Sequence, residues 1–216
     1  MASDRSQRKS KDKWKEKSWF TIVSPGYLGE KEIAVSPSYD ENGMIGRKIE
    51  VPVSDFTGNF KKANSKVLFK IISCQGKKCQ TMFIGHSVSD DFIKRMVRRR
   101  KERIDIVRNA TTKDGYTMSV KTVIVTDGKL TNTKRVAIRR TIEQFLDQKS
   151  KDMGYEDFTR YLIGDDVYND MVGATRDVYP IRKLEVRKSR LLEVSSGVET
   201  TVPDSSTEET PPEQVS

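Results

Sequence analysis

The stretch Lys94–Arg103, KRMVRRRKER, sets seven cationic side chains in ten residues against a single acid, Glu102. Five of the seven are Arg, whose planar fork grips phosphate oxygens two at a time. The chemistry of such a run is the holding of a polyanion. It follows a short amphipathic segment and leads into Ile104-Asp105-Ile106-Val107, which reads as a strand. The cations are therefore fused to ordered elements rather than hung on a tail. A solvated helix end, with cations near the C-terminal dipole, accounts for one or two of them. Seven ask for a partner, and the basic-patch criteria point to a nucleic acid.

Other chemistry has little to stand on. His86 is the only histidine, so a base there lacks the orienting partners that catalysis needs; a structural or RNA-contacting role fits better. Cys74 and Cys79 are spaced C-x₄-C with no second pair, and with His86 they supply at most three of the four ligands zinc normally takes. Two buried thiols in cross-strand contact are expected, without a stable disulfide. Asp165-Asp166, after Gly164, reads as a helix cap that complements the dipole rather than as a catalytic pair. The chain has no Walker-type loop, no G-x-S-x-G and no H-E-x-x-H. No enzymatic activity, cofactor, metal or small-molecule substrate is expected.

The elements that position these residues begin with Trp19–Val23, which turns β-like after a stretch, Lys13–Phe20, that interleaves cations with aromatics. Trp14 and Trp19 suit stacking on unpaired bases, while Trp19 beside Phe20 suits a core equally well. Residues 45–53 alternate apolar and polar and predict a strand. Residues 65–73 and 78–85 predict a hairpin with a slightly long loop around Gly76, ending at Gly85-His86. Ser89 is an N-cap candidate for a helix whose apolar face is Phe92, Ile93, Met96 and Val97. Residues 104–111 and 116–125 flank Asp114-Gly115, a two-residue hairpin signal.

Beyond Asp127-Gly128 the period becomes helical. Val136, Ile138, Ile142, Phe145 and Leu146 recur on one face, with Lys134, Arg139 and Arg140 outside. Residues 155–163 and 165–179 predict two short helices separated by Gly164 and stopped by Pro180. Residues 181–192 return to a strand carrying Arg182, Lys183, Arg187, Lys188 and Arg190. The expected fold is α+β: a mostly antiparallel, β-barrel-like core with packed helices. It comprises a basic flexible arm (1–18), a single domain (19–192) and a disordered acidic tail (193–216).

At 216 residues the chain is long enough to bury a real core. Its charge is uneven. Residues 1–192 hold all 40 Lys and Arg and 25 of the 31 acids, a net charge of +15, whereas 193–216 hold six acids and no cation. A body that basic is bound to a polyanion or strongly self-repelling. No apolar window is long enough to span a membrane, the N-terminus lacks the apolar core of a signal peptide, and two cysteines fit a reducing compartment. A cytoplasmic protein is expected, and no homeodomain, zinc-finger or heptad signature points to duplex DNA.

Several short motifs recur in an order typical of one family. They are Lys11-Asp12-Lys13-Trp14-Lys15, Gly29-Glu30-Lys31-Glu32-Ile33, Gly46-Arg47, Ser54-Asp55-Phe56-Thr57-Gly58 and Phe83-Ile84-Gly85-His86. Then come Val97-Arg98-Arg99-Arg100 with Arg103-Ile104-Asp105, Thr111-Thr112-Lys113-Asp114-Gly115-Tyr116, and Tyr179-Pro180-Ile181-Arg182-Lys183 with Val186-Arg187-Lys188. Over residues 11–192 the chain closely resembles the small-subunit ribosomal protein family S3Ae, also called eS1, in the short form that suggests an archaeal source.

The resemblance implies a structural constituent of the small ribosomal subunit, on the platform near the mRNA exit. Its implied partners are small-subunit rRNA and neighbouring ribosomal proteins, with mRNA near the exit as a further contact. The acidic end from Glu193 lies outside the shared pattern. Residue reading and resemblance together give an rRNA-binding set: Lys11, Lys13, Trp14 and Lys15 in the arm, Lys94, Arg95, Arg98, Arg99, Arg100, Lys101 and Arg103 in the cluster, and Arg182, Arg187 and Lys188 in the last strand. The alternative is a non-stoichiometric RNA-binding regulator of translation, which needs the same surface.

Overall fold

The computed structural model describes residues 17–58 and 60–193; Lys11, Lys13, Trp14, Lys15 and the acidic tail from 194 on lie outside them. In chain order the elements are β1 (Ser18–Val23), β2 (Glu32–Ser38), β3 (Lys48–Pro52), α1 (Val53–Thr57), β4 (Ser65–Gln75), β5 (Lys78–Val88) and α2 (Asp90–Met96). They continue with β6 (Glu102–Thr111), β7 (Thr117–Thr126), α3 (Asn132–Asp152), α4 (Tyr155–Ile163), α5 (Asp166–Thr175) and β8 (Ile181–Glu193). All eight strands join one sheet, ordered β2-β1-β5-β8-β7-β6, with β4 also on β5 and β3 on β4. Every pairing is antiparallel except β1 with β5.

The α+β class holds, but the sheet is not closed into the expected barrel. The reason lies in β5. Strand β4 covers one edge of β5 along its length. The other edge is divided: β1 pairs at Lys78–Gln80 and β8 at Gly85–Ser87. Between them the Phe83 carbonyl accepts a hydrogen bond from the Tyr155 hydroxyl of α4 instead of a ladder donor. The sheet branches at this strand, and strands β2, β3 and β6 remain as edges. Pro37 sits on β2, where an edge tolerates a residue without an N–H.

Helices α3, α4 and α5 cover one face. Ile138, Ile142 and Leu146 of α3, Phe158 and Leu162 of α4, and Met171 of α5 are buried with Phe69, Phe83, Ile104, Ile106, Met118 and Ile124 of the sheet. Val136, expected on that face, is 40% exposed; two residues before Ile138 it points some 200° away around the helix. Helix α2 packs on a separate cluster, Ile93 and Met96 against Val88, Val123 and Val125. A third cluster joins Phe20, Ile22, Met44, Ile71 and Cys79. Trp19, alternating with Phe20, is 57% exposed, so of its two readings the core one does not hold.

Local differences from the sequence reading have physical causes. The strand expected over 45–53 begins only at Lys48, because Gly46 takes a left-handed φ of 85°, and Val53 already opens α1. The β4–β5 loop is the two-residue Gly76-Lys77, with Gly76 at φ 59° as a tight hairpin requires. Conversely, Asp114-Gly115 lies in a five-residue loop between Thr111 and Thr117. The Asp114 carboxylate instead accepts from the Tyr155 N–H at 2.7 Å, capping α4 from 41 residues away. Ser89 occupies the N-cap of α2, but its side chain makes no capping bond. Helix α5 ends at Thr175, short of the expected 179.

The expected pair of thiols is a disulfide, Cys74–Cys79. Their direct cross-strand register sets the Cα atoms 4.0 Å apart, within bonding reach of the sulfurs. An inference from compartment had no access to that geometry.

Gly85-His86 is not at the strand end; β5 runs on to Val88. A Cβ on Gly85 would stand 2.5 Å from the Ser189 carbonyl oxygen, so only glycine lets β8 dock there. His86 is 6% exposed and is lowered from 6.5 to about 4, first by burial and then by Lys62. It is neutral at physiological pH and presents no charge to RNA.

Gly85→Ala should destabilise the chain by about 1–3 kcal/mol, the usual cost of overpacking, measured by denaturant titration. His86 gives a pH test. As pH falls below 6.5 the unfolded imidazole binds a proton that the native one refuses until about pH 4. Stability is therefore lost on acidification, by about 2 kcal/mol at pH 5. The His86→Leu chain should lack that increment when melting is compared between pH 7 and pH 5. Burial raises the Glu185 carboxyl and acts in the opposite sense, but Glu185 is common to both chains.

Candidate nucleic-acid interface

Helix α2 ends at Met96, and five residues carry the chain to β6 at Glu102. Lys94 and Arg95 are in the helix's last turn, where its C-terminal dipole favours cations. The connecting loop turns back on itself: the Lys101 N–H bonds the Arg98 carbonyl at 3.2 Å, and Arg100 adopts φ 65°. Arg98, Arg99 and Arg100 are exposed, and none forms an ion pair among the described residues. They project from a loop held at both ends by packed elements.

Acids fix the surrounding frame. Lys101 Nζ lies 2.6 Å from Asp127 Oδ1, and Arg182 Nη1 donates to the same oxygen at 3.0 Å. Lys101, then Arg182, hold the Asp127 carboxyl below its ordinary range. Glu102 accepts from the Leu130 N–H and from Arg135 of α3, which lower its carboxyl in the same way. Arg103 folds onto Asp105 at 2.8 Å. Arg187 reaches Asp90 of α2 at 3.0 Å, and Lys94 is 3.9 Å from Asp91.

Two concave sites flank α2. One, about 90 Å³, is lined by Arg95, Met96, Arg98, Lys101, Arg182 and Lys183. Five cations converge on a space of phosphate size, with no acid in its wall. The other, about 430 Å³, gathers Lys66, Lys121, Arg187 and Lys188 with Glu50 and Asp90. Lys121 and Lys188 face each other across β7 and β8, a like-charge pairing that costs stability unless an anion lies between.

Of the expected binding residues, the fold brings Arg95, Arg98, Lys101 and Arg182 together, and Arg187 with Lys188 beside them. Lys94, Arg99 and Arg100 stand at the rim, and Arg103 is turned to Asp105. Lys183, Lys66 and Lys121 were not in the expected set. Lys183 was visible as a member of the basic strand; the other two belong to strands whose register had to be known. The exposed Trp19 is on β1, at the opposite end of β5 from α2. Asp165 pairs with Lys62 at 2.8 Å, a structural use. Among the described residues, no three His, Cys, Asp or Glu side chains group to hold a metal, and no helix is long and apolar enough to cross a membrane.

Comparison with known proteins identifies the family. The pattern of the Ribosomal S3Ae family matches residues 5–195. The small ribosomal subunit protein eS1 of Thermoplasma acidophilum is 55% identical over 195 residues, covering 90% of this chain and 91% of that protein. Its counterpart in Picrophilus torridus is 56% identical over 190 residues, 88% and 91% of the two chains. The one in Saccharolobus islandicus is 35% identical over 196 residues, 91% and 94%. With a match that runs through the whole sheet, all five helices and both basic clefts, the chain belongs to the ribosomal S3Ae family.

Proposed function

We propose that this chain is a structural constituent of the small ribosomal subunit that holds small-subunit rRNA by its phosphates, on the platform near the mRNA exit. The observation that carries the reading is the convergence of Arg95, Arg98, Lys101, Arg182 and Lys183 on one small cavity free of acids. Arg and Lys arranged this way neutralise backbone phosphate, which supplies most of the sequence-independent affinity for RNA. Relatives that carry the name of a small ribosomal subunit protein support the same reading. So does the rigidity of the frame, since A-form RNA is read largely by shape and phosphate position. Residues 1–16 add further cations, and association with the ribosome places the chain in the cytoplasm.

The triple change Arg98→Ala/Arg99→Ala/Arg100→Ala removes exposed side chains without buried contacts. Its melting temperature should stay within a few degrees, while incorporation into the subunit falls. Binding to isolated small-subunit rRNA, titrated against salt, should lose about two to three units of log–log slope, as expected for three phosphate contacts. Normal incorporation of the triple variant would remove this loop as the anchor. Lys183→Ala, outside the loop, should weaken the same binding and lower the slope by about one unit. After a high-salt wash, quantitative mass spectrometry should find close to one copy per small subunit; far fewer would favour the regulator.

A further inference from the structure

At the other end of β5 the charge is reversed. A cleft of about 850 Å³ opens beside the Gly26–Leu28 turn, the start of β5 and the N-terminus of α4. Its walls include Tyr27, Tyr116 and Tyr155, three rings in one cluster: Tyr116 lies 4.6 Å from Tyr155, and Tyr27 meets Tyr155 edge-on at 6.5 Å. Its carboxylates are Glu30, Glu32 and Glu156, against a single cation, Lys78.

Those three glutamates are gathered on one cleft of a basic chain. Asp90, Glu102, Asp105, Asp127 and Asp147 all pair with Lys or Arg, yet Glu30, Glu32 and Glu156 form no ion pair among the described residues. Glu156 complements the N-terminus of α4; Glu30 and Glu32 have no such role. Glu30 is moreover held in a left-handed conformation, φ 44°, which an ordinary side chain avoids unless its surroundings impose it. From Gln80 to Val88 along β5, the cleft lies roughly 25 Å from the basic sites at α2.

We propose that this cleft is a protein-docking site that takes an extended segment bearing Lys and Arg from a second protein in the same particle. The proposal rests on the ribosomal reading above. RNA is repelled by three unneutralised carboxylates, whereas a cationic side chain gains from them and from the tyrosine faces. Aromatic rings and Arg are enriched at protein–protein contacts, and a long cationic side chain can lay its apolar stem on the rings while its charge meets the carboxylates. The chain's own residues 1–16, which join β1 at Ser18, are the competing occupant that the test distinguishes.

The test uses intact small subunits and the variant Glu30→Gln/Glu32→Gln/Glu156→Gln, whose changes are confined to exposed side chains. Carbodiimide coupling followed by peptide mass spectrometry should join at least one of these glutamates, in the parent, to a lysine of another protein. In the variant, retention on salt-washed subunits should fall about tenfold while affinity for protein-free rRNA stays within about twofold, because a rim charge and a remote RNA face act independently. A segment offering only Arg leaves the coupling silent but still shows in retention. Coupling to residues 1–16 alone overturns the proposal, as does a loss of rRNA affinity in the variant, or no coupling with unchanged retention. Absence of the parent itself from subunits would instead sink the ribosomal reading.

Discussion

The divided edge of β5 is the constraint from which the architecture follows. A strand with one partner on each edge extends a sheet or closes a barrel. Here β1 and β8 each take a part of one edge, so the sheet splays into two wings that share β4 and β5. Gly85 permits the second pairing, since any side chain would meet the Ser189 carbonyl. Tyr155 seals the interval by donating to Phe83, and that bond in turn sets where α4 sits. The buried Phe83 carbonyl would otherwise lack a partner, at a cost comparable to a lost hydrogen bond. The Asp114 carboxylate at the Tyr155 N–H then ties the β6–β7 loop to the same point.

This branching also separates the charges. The far end of β5 delivers the chain directly into α2 and the arginine loop, while β8 brings Arg182, Lys183, Arg187 and Lys188 alongside from the opposite direction. The near end lies under the Gly26–Leu28 turn and the start of α4, where the acids are. One strand thus spans a cationic face and an anionic one. The strand itself carries buried apolar and neutral groups, among them, near its α2 end, a histidine that burial keeps uncharged.

Helix α4 was legible to the residue, because Gly154 and Gly164 bracket a strongly amphipathic run. The arginine loop was legible as a charge run fixed between two elements. Strand β2 was not: Ser36-Pro37-Ser38 reads as a breaker, and only its place at a sheet edge makes it a strand. The disulfide and the membership of Lys66 and Lys121 in the basic sites share one cause of illegibility. Each depends on which residues stand opposite one another across strands, and register is set by long-range packing rather than by local pattern. The barrel expectation failed for a related reason: strand content and order are visible in the sequence, but the sharing of one edge between two strands is not.

The acids around the arginine loop deserve a different interpretation from those of the cleft. Exposed ion pairs contribute little to stability, about 0–1 kcal/mol each, so Asp127, Asp105 and Asp90 are weak as staples. What they do is hold Lys101, Arg182, Arg103 and Arg187 in fixed directions before any anion arrives, and they dilute the self-repulsion of a body with a net charge of +15. In the proposed function, a phosphate meets cations whose rotamer freedom has already been reduced, which lowers the entropy lost on binding. In the proposed complex, Arg98, Arg99 and Arg100, left without acids, are the members of the cluster that RNA would order for itself. On the proposed reading, binding is shared between a preorganised cleft and an adaptable loop, and the two are adjacent because Arg98 and Lys101 belong to both.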